Sequence, residues 1–220
     1  MTLLKALLIV LASTLTLHSG GPIKKFIVDD FPVTDKMFAR EMKTKDSDAG
    51  IRNSGMVESS DKAWFTNDSL HQTLVFDLYT DYMRMGVFLF DNNNIPRELI
   101  TIMELNTLDG SLATDKQKEK SLKGFIRQAR RIRSKYFTSD KGIKLGIEKA
   151  VVITAYGRPD KISHTGKMET LEWSFIGDQD IPEKGVPKGR RVAADSFGHQ
   201  ITAFFQDDKL IGLILHNDIP

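Results

Sequence analysis

Cysteine is absent from this chain of 220 residues. Its absence excludes disulfide bonds, thiol catalysis and thiolate metal ligands. It also excludes a lipoprotein anchor, because the lipid is attached to a cysteine at the cleavage point of the leader. The folded protein must therefore rely on its hydrophobic core, and 220 residues with 40% hydrophobic side chains can form one large core or two small ones.

The chain also lacks a large excess of charge of either sign. Its 31 Lys and Arg residues and 29 Asp and Glu residues leave a formal net charge of +2. A balance of this kind provides no global attraction to nucleic acid, so any electrostatic partner must be recognised by a local patch. We expect no nucleic-acid partner.

Familiar catalytic, cofactor and metal motifs are missing as well. The sequence contains no Gly-x-Ser-x-Gly elbow, no phosphate-binding loop in a strand-loop-helix frame and no His-x-x-x-His pair. The histidines beyond the leader are scattered, at His71, His164, His199 and His216. We therefore predict no catalytic, cofactor-binding or metal residues. Because catalytic groups converge in space rather than in sequence, an exported enzyme stays the alternative, as a hydrolase with its site between two halves of the chain.

The first 20 residues differ in composition from the rest of the chain. Lys5 precedes an unbroken apolar run over residues 6–12, and Ser19 and Gly20 offer small residues for cleavage. This pattern predicts a secretory signal peptide over residues 1–20, because the apolar run is too short to span a bilayer. An uncleaved membrane anchor is the alternative, and the cleavage site stays open. We expect a protein exported to the periplasm or the extracellular space without a lipid anchor.

Residues 21–135 are predicted to form an N-terminal α+β region. Alternating apolar residues over 71–79 and 83–90 indicate an antiparallel hairpin. Pro96 fits the first position of a short helix. The polar residues 35–61 contain few apolar anchors, and we expect a surface excursion or a poorly ordered segment there.

A long basic helix is predicted to close this region. Thr114 begins a capping box, and the apolar stripe through Phe125 and Ile126 indicates a helix that runs to about Lys135. Over residues 116–135 Glu119 is the only acid. The cations there are Lys116, Lys118, Lys120, Lys123, Arg127, Arg130, Arg131, Arg133 and Lys135.

Two interpretations of this basic helix are open. Its cations can bind anionic lipid headgroups, lipopolysaccharide phosphate or an acidic protein face, with Arg127, Arg130 and Arg131 as the candidate residues. Such binding includes peripheral contact with a membrane. Alternatively, the helix presents a solvated face whose charges pair with acidic loops elsewhere in the chain.

The firmest local pattern lies over residues 142–159. Gly146 allows the turn into a helix, Gly157 suits its left-handed stop, and Pro159 prevents its continuation. The predicted apolar stripe comprises Ile147, Val151 and Ala155, widened by Val152 and Tyr156.

Four short strands are predicted after this helix. Residues 161–163 and 169–175 indicate one hairpin, and residues 200–206 and 210–216 indicate another. Residues 177–191 are rich in Gly, Pro and charge, which is typical of a long loop. One helix followed by antiparallel strands predicts an α+β layer, with the helix on one face of the sheet.

These elements carry a family resemblance over residues 137–218. The stretch from Gly142 to Gly146, the helix, Tyr156-Gly-Arg-Pro159, the strand with Trp173 and the closing hairpin together resemble a helix-plus-four-strand repeat. That repeat occurs in beta-lactamase inhibitor proteins and in small outer-membrane assembly lipoproteins of the SmpA/OmlA type. The resemblance implies a repeat domain over residues 136–220 and a role in protein binding or envelope scaffolding, without catalysis.

A second interaction surface is predicted on the sheet itself. Adjacent strand residues point to opposite faces, so Phe204 and Phe205 cannot both face the helix. Exposed aromatics, with Trp173 and Phe204 as candidates, would mark an interface. The alternative is that the N-terminal region covers this face. We therefore predict an exported, non-enzymatic protein that binds another protein or an anionic envelope component.

Overall fold

The computed structural model describes residues 24–33, 62–78, 84–103 and 115–218. The predicted signal peptide, the polar segment 35–61 and the capping residue Thr114 lie outside the described residues.

The described residues form ten strands and three α-helices. The strands are β1 Lys25–Phe26, β2 Lys62–Asn67, β3 Gln72–Leu78, β4 Arg84–Asp91, β5 Arg130–Arg131, β6 Lys161–Thr165, β7 Met168–Ile176, β8 Arg191–Ala193, β9 Gly198–Gln206 and β10 Lys209–Asp218. The helices are α1 Arg97–Ile102, α2 Asp115–Gln128 and α3 Lys149–Tyr156, with 3-10 turns at Ser134–Phe137 and Asp178–Asp180. The predicted α+β class is confirmed.

All ten strands join one mixed sheet. Its order is β1-β8-β7-β9-β10-β4-β3-β2-β5, and β6 pairs with the outer edge of β7. The centre of the sheet is the antiparallel pairing of β10 with β4, from Gly212 opposite Phe90 to His216 opposite Gly86. Strands from both sides of residue 135, where the sequence predicts the border between two regions, thus belong to one continuous sheet. That border stays a prediction.

Three hairpins follow the predicted pairings. They are β3 with β4, β6 with β7 and β9 with β10. The last one turns at Asp207 and Asp208, whose φ angles of 49° and 59° are left-handed. Two left-handed residues are what a two-residue type I′ hairpin turn requires. Local alternation and turn chemistry were therefore sufficient to predict these pairs.

The helix over residues 142–159 is present, and its buried side is centred on the residues predicted as the margin of the apolar stripe rather than on Val151. α3 ends at Gly157, whose φ of 82° is left-handed and whose N–H bonds the carbonyl of Ile153 at 2.7 Å. Val152 and Tyr156 are buried, whereas Val151 is 48% exposed. The sequence KAVVITAY is apolar at six of its eight positions, so its periodicity could not determine which side meets the sheet.

Two apolar clusters lie on the two faces of the sheet. The α3 face is covered by α3, by the N-terminal segment 24–33 and by residues 137–147. Its buried residues include Phe76, Leu89, Trp173, Ile201 and Phe205. The α2 face is covered by α1 and α2, and its buried residues include Trp64, Val75, Phe88, Phe204 and Ile214.

α1 approaches the sheet closely at Gly212 on β10. A Cβ atom there would lie 3.1 Å from Leu99 Cδ1, 3.1 Å from Pro96 Cγ and 3.2 Å from Phe204 Cδ2. Such distances are tighter than ordinary contacts, so glycine lets α1 pack directly on the strand. The α2 face is thereby sealed over β10.

The basic helix is shorter than the sequence predicts. α2 ends at Gln128 rather than near Lys135, and Arg130 and Arg131 form the edge strand β5, which runs parallel to β2. Pairing with the edge of β2 takes the place of further helical hydrogen bonds, and the helical pattern could not reveal that edge. Two further strands were not predicted: β2, and β8, which begins at the end of the predicted 177–191 loop.

Candidate anion-binding surface

α2 separates apolar from cationic side chains. Leu122, Phe125 and Ala129 are buried against the sheet. The ring of Phe125 stacks on Trp64 with centroids 5.0 Å apart. A helix held by such a stripe must direct its other side chains outward.

Four cations form one row on the outer side of α2. Lys116, Lys120, Lys123 and Arg127 follow one another at i, i+4, i+7 and i+11, and all four are exposed. At a rise of about 1.5 Å per residue, the row extends over roughly 16 Å of helix. We call these four residues the basic row.

The basic row borders a groove of about 630 Å³. Its other lining residues are Asn92, Glu119 and Ile126. Asn92 belongs to the turn after β4, where its Oδ1 accepts a 2.6 Å hydrogen bond from Thr73 Oγ1. One wall of the groove is therefore fixed to the sheet, while the other carries the cations.

The basic row has no acidic partner in the described part of the chain. None of its four residues forms an ion pair with another described residue. Some cations elsewhere in the described part of the chain do form ion pairs, as Lys149 does with Glu169 and Lys161 with Glu172. Among the described residues the row therefore differs from a solvated face balanced by acidic loops.

The three arginines predicted as binding candidates, Arg127, Arg130 and Arg131, do not lie at one site. Arg127 belongs to the basic row, whereas Arg130 and Arg131 line a second groove of about 450 Å³ beyond the end of α2. Arg131 Nη1 donates to the carbonyls of Arg127 and Ala129, at 2.9 and 2.7 Å, and Nε lies 3.4 Å from Asp68 Oδ2. Arg131 thus stabilises the carbonyl end of α2, which suits a cation.

Trp173 and Phe204 do not form an exposed surface. Trp173 is completely buried on the α3 face, and its Nε1 donates to the carbonyl of Gly157 at 2.8 Å. Phe204 is completely buried on the α2 face beneath α1. The prediction of an exposed aromatic interface is therefore wrong. The N-terminal region covers the α2 face, as the alternative interpretation proposed.

A buried polar network lies under α3 and was not predicted. Asp29 Oδ2 accepts hydrogen bonds from Ser139 Oγ at 2.7 Å and from Tyr156 OH at 2.6 Å, and Oδ1 accepts one from Lys141 N at 2.9 Å. Burial, and next the charge of Asp29, raise the pKa of Tyr156 far above its ordinary value. Tyr156 therefore stays a neutral donor. The network ties the segment 24–33 to α3, and the two adjacent acids between Val28 and Phe31 were its only sequence signal.

A third concave site contains a histidine and a carboxylate. A cavity of about 300 Å³ is lined by Ser174, Phe175, Ile176, Asp180, Arg190, Gly198, His199 and Gln200. His199 pairs with Phe175 across the strands, and Phe175 belongs to the α3 face. Since paired residues share a face and neighbours alternate, the imidazole of His199 and the hydroxyl of Ser174 project from opposite faces.

The partner of His199 is Asp195. The two side chains approach to 3.1 Å between Nε2 and Oδ2, with His199 buried and Asp195 half-buried. No serine hydroxyl contacts this imidazole in the described part of the chain. Among the described residues this pair has the geometry of an imidazole oriented by a carboxylate, but no serine hydroxyl forms a hydrogen bond with the imidazole.

Two further features concern the described residues alone. No group of three or more His, Asp and Glu side chains there is placed to hold a metal ion. No helix there is long and apolar enough to cross a membrane.

Comparisons with known proteins do not assign this chain to a family. No protein family matches the sequence, and no curated protein matches it. Among solved structures, the chain is similar to YjgB, a DUF4309 family protein from Bacillus subtilis, with 7% identity and a TM-score of 0.31. The alignment covers 84% of this chain and 95% of that one. A likeness at this TM-score supports no conclusion about fold or function.

Proposed function

We propose that this protein is an exported, non-enzymatic envelope protein that binds an anionic component through the basic row. The observation that carries the proposal is the lack of acidic partners for Lys116, Lys120, Lys123 and Arg127 among the described residues. Aligned cations on a rigid helix attract anions that are too large for one charge to hold. We propose the phosphate headgroups of anionic lipid as the component, with an acidic protein face as the alternative.

The proposed contact with a membrane is electrostatic and does not require apolar side chains to insert into the bilayer. Two of the three large apolar residues of α2, Leu122 and Phe125, are buried and not available to enter a bilayer, and the third, Ile126, is partly buried against the core. Exposed charges are screened over about 8 Å at physiological ionic strength, so binding should weaken as salt is added. Peripheral, salt-sensitive association is the expected behaviour.

Vesicle binding tests this proposal. The protein without residues 1–20 is mixed with vesicles of phosphatidylglycerol in phosphatidylcholine, or of phosphatidylcholine alone, and the bound fraction is measured by sedimentation. We expect binding to the anionic vesicles only, with about a tenfold or greater loss in the triple variant Lys120→Glu, Lys123→Glu and Arg127→Glu.

The matched control reverses three exposed cations elsewhere. Lys144→Glu, Lys167→Glu and Lys188→Glu change the net charge equally and lie outside the basic row. Equal loss in both triple variants would show that net charge alone is responsible. Poly-L-glutamate serves as a soluble acidic chain: binding to it but not to vesicles would assign the row to an acidic protein, and binding to neither would reject the proposal.

We further propose that residues 137–218 are related to the helix-plus-four-strand repeat. The succession of α3, the β6–β7 hairpin and the β9–β10 hairpin is the feature in its favour. That relation supports a binding or scaffolding role, because the repeat is used for protein contacts. The export proposal rests on the composition of residues 1–20, and detection of the chain in an envelope or secreted fraction tests it.

The second candidate is an exported hydrolase, and the 300 Å³ cavity is the observation in its favour, although its lining comes from residues 174–200 alone and not from both halves of the chain. The opposed projection of Ser174 and His199 argues against it, since a nucleophile and its base must come within hydrogen-bond reach. Hydrolysis of p-nitrophenyl acetate by the wild type and by Ser174→Ala is the test. A rate above background that is lost in the variant would favour the hydrolase.

A further inference from the structure

The 300 Å³ cavity presents a set of polar side chains on the face opposite His199. Ser174 and Gln200 are directly paired across β7 and β9, and Ile176 lies two residues beyond Ser174 on the same face. Asp180 and Arg190 enter from the loop between β7 and β8. One wall is therefore a rigid sheet and the other carries one charge of each sign.

These polar side chains are not satisfied by one another. In the part of the chain that the structure describes, the side chains of Ser174, Asp180, Arg190 and Gln200 have no hydrogen bond or ion pair. Asp180 and Arg190 thus share a cavity without neutralising each other. The nearby Arg191, in contrast, is bound to Asp160 and to the carbonyls of Tyr156 and Arg158.

Two opposite charges that line one cavity without pairing are complementary to a ligand that carries both, and Asp180 and Arg190 are exposed and therefore accessible to it. A carboxylate can accept hydrogen bonds from an ammonium group, and a guanidinium can bind a ligand carboxylate with two parallel hydrogen bonds. Ser174 and Gln200 can orient these groups, and Ile176 offers an apolar contact. Ligand pockets of about 300–1,000 Å³ hold drug-sized molecules, so this cavity suits a smaller one.

We propose that this cavity binds a small zwitterion of the α-amino acid class. The ligand ammonium group faces Asp180 and its carboxylate faces Arg190. This site is separate from the basic row, so its test is independent of vesicle binding.

An NMR titration tests the proposal with L-valine as the probe. The backbone amide signals of Ser174, Gly198 and Gln200 are followed in the ¹⁵N-labelled protein at constant ionic strength. Isovalerate and isobutylamine each retain one of the two charged groups of valine. We expect saturable shifts with L-valine and affinities at least about tenfold weaker for the two halves, because each lacks one charge-assisted contact.

Two variants and a matched pair locate the site. Asp180→Asn and Arg190→Gln should each weaken valine binding by about tenfold or more. Glu183→Gln and Lys184→Gln alter exposed charges of the same loop that do not line the cavity, and they should leave binding unchanged.

Three results would overturn the proposal. Absence of saturable shifts with L-valine would show that the cavity does not take this ligand class. Equal binding of isovalerate would indicate a plain anion site. Equal weakening by the control variants would place the effect in the net charge of the loop. The wild-type ligand series decides the question even where a variant fails to fold.

Discussion

The two faces of the sheet are closed in different ways. On the α3 face, an eight-residue helix and the short segment 24–33 are joined by the buried carboxylate of Asp29. On the α2 face, the fourteen-residue amphipathic helix packs through residues such as Phe125 on Trp64. A long amphipathic helix is held by its apolar stripe, which leaves its outer side available for binding. The shorter segments on the α3 face are joined by buried hydrogen bonds in addition to their apolar contacts.

Removal of Phe204 should break the α2 face most severely. Phe204→Ala deletes a fully buried ring between β9 and α1, and large-to-small changes of this kind cost about 3–5 kcal/mol. The free energy of unfolding in urea measures the effect. Ile162→Ala, at a position 54% exposed, is the control and should cost much less. A loss for Phe204→Ala no larger than that of the control would mean that the face is open.

Removal of the Asp29 carboxylate should have the second-largest effect on stability, through the packing on the α3 face. Asp29→Ala leaves the hydroxyls of Ser139 and Tyr156 without their acceptor, and each buried unsatisfied group costs about 1–3 kcal/mol. Tyr156→Phe removes one bond alone and should cost less than Asp29→Ala. Urea unfolding of both variants is the measurement, and wild-type stability for Asp29→Ala would show that the network does not hold the segment.

The ion cluster at the start of α3 should make stability depend on alkaline pH. Hydrogen bonds to Asp208 and then to Glu169, at 2.5 and 2.6 Å, raise the pKa of Lys149. Because the pKa is higher in the folded than in the unfolded state, the stabilisation is complete below about pH 10.4. It is lost as the pH rises through the folded pKa.

Unfolding free energies between about pH 9 and pH 12 measure this loss. Lys149→Met should remove this part of the decline, whereas Lys144→Met, at an exposed site, should retain it. Parallel decline in wild type and Lys149→Met would contradict the assignment.

Charge reversal in the basic row should have the smallest effect on stability. Lys120→Glu and Lys123→Glu alter exposed residues, and such changes usually lie within about 0.5 kcal/mol. Phe125→Ala on the same helix should cost about 3–5 kcal/mol. Similar losses for both kinds of variant in urea unfolding would give the row a structural role and weaken its assignment to binding.

Prediction from sequence succeeded where the signal was local. The β9–β10 hairpin follows from alternation on either side of Asp207 and Asp208, and the end of α3 follows from Gly157. It failed at β5 and β8, which are two or three residues long and exist through pairing with distant strands. Of the three arginines predicted as binding candidates, Arg127 belongs to the basic row, whereas Arg130 and Arg131 lie on β5.

The sequence by itself determined the α+β class, the three hairpins and the concentration of cations around α2, because periodicity, turn residues and composition are properties of neighbouring residues. Tertiary structure alone decided that Trp173 and Phe204 are buried, that Asp29 meets Tyr156, and that Asp180 and Arg190 share a cavity. Residues 29 and 156 lie 127 positions apart. Such contacts depend on how helices and strands pack and pair across the sheet. A pattern along the chain does not show which residues from distant positions will meet.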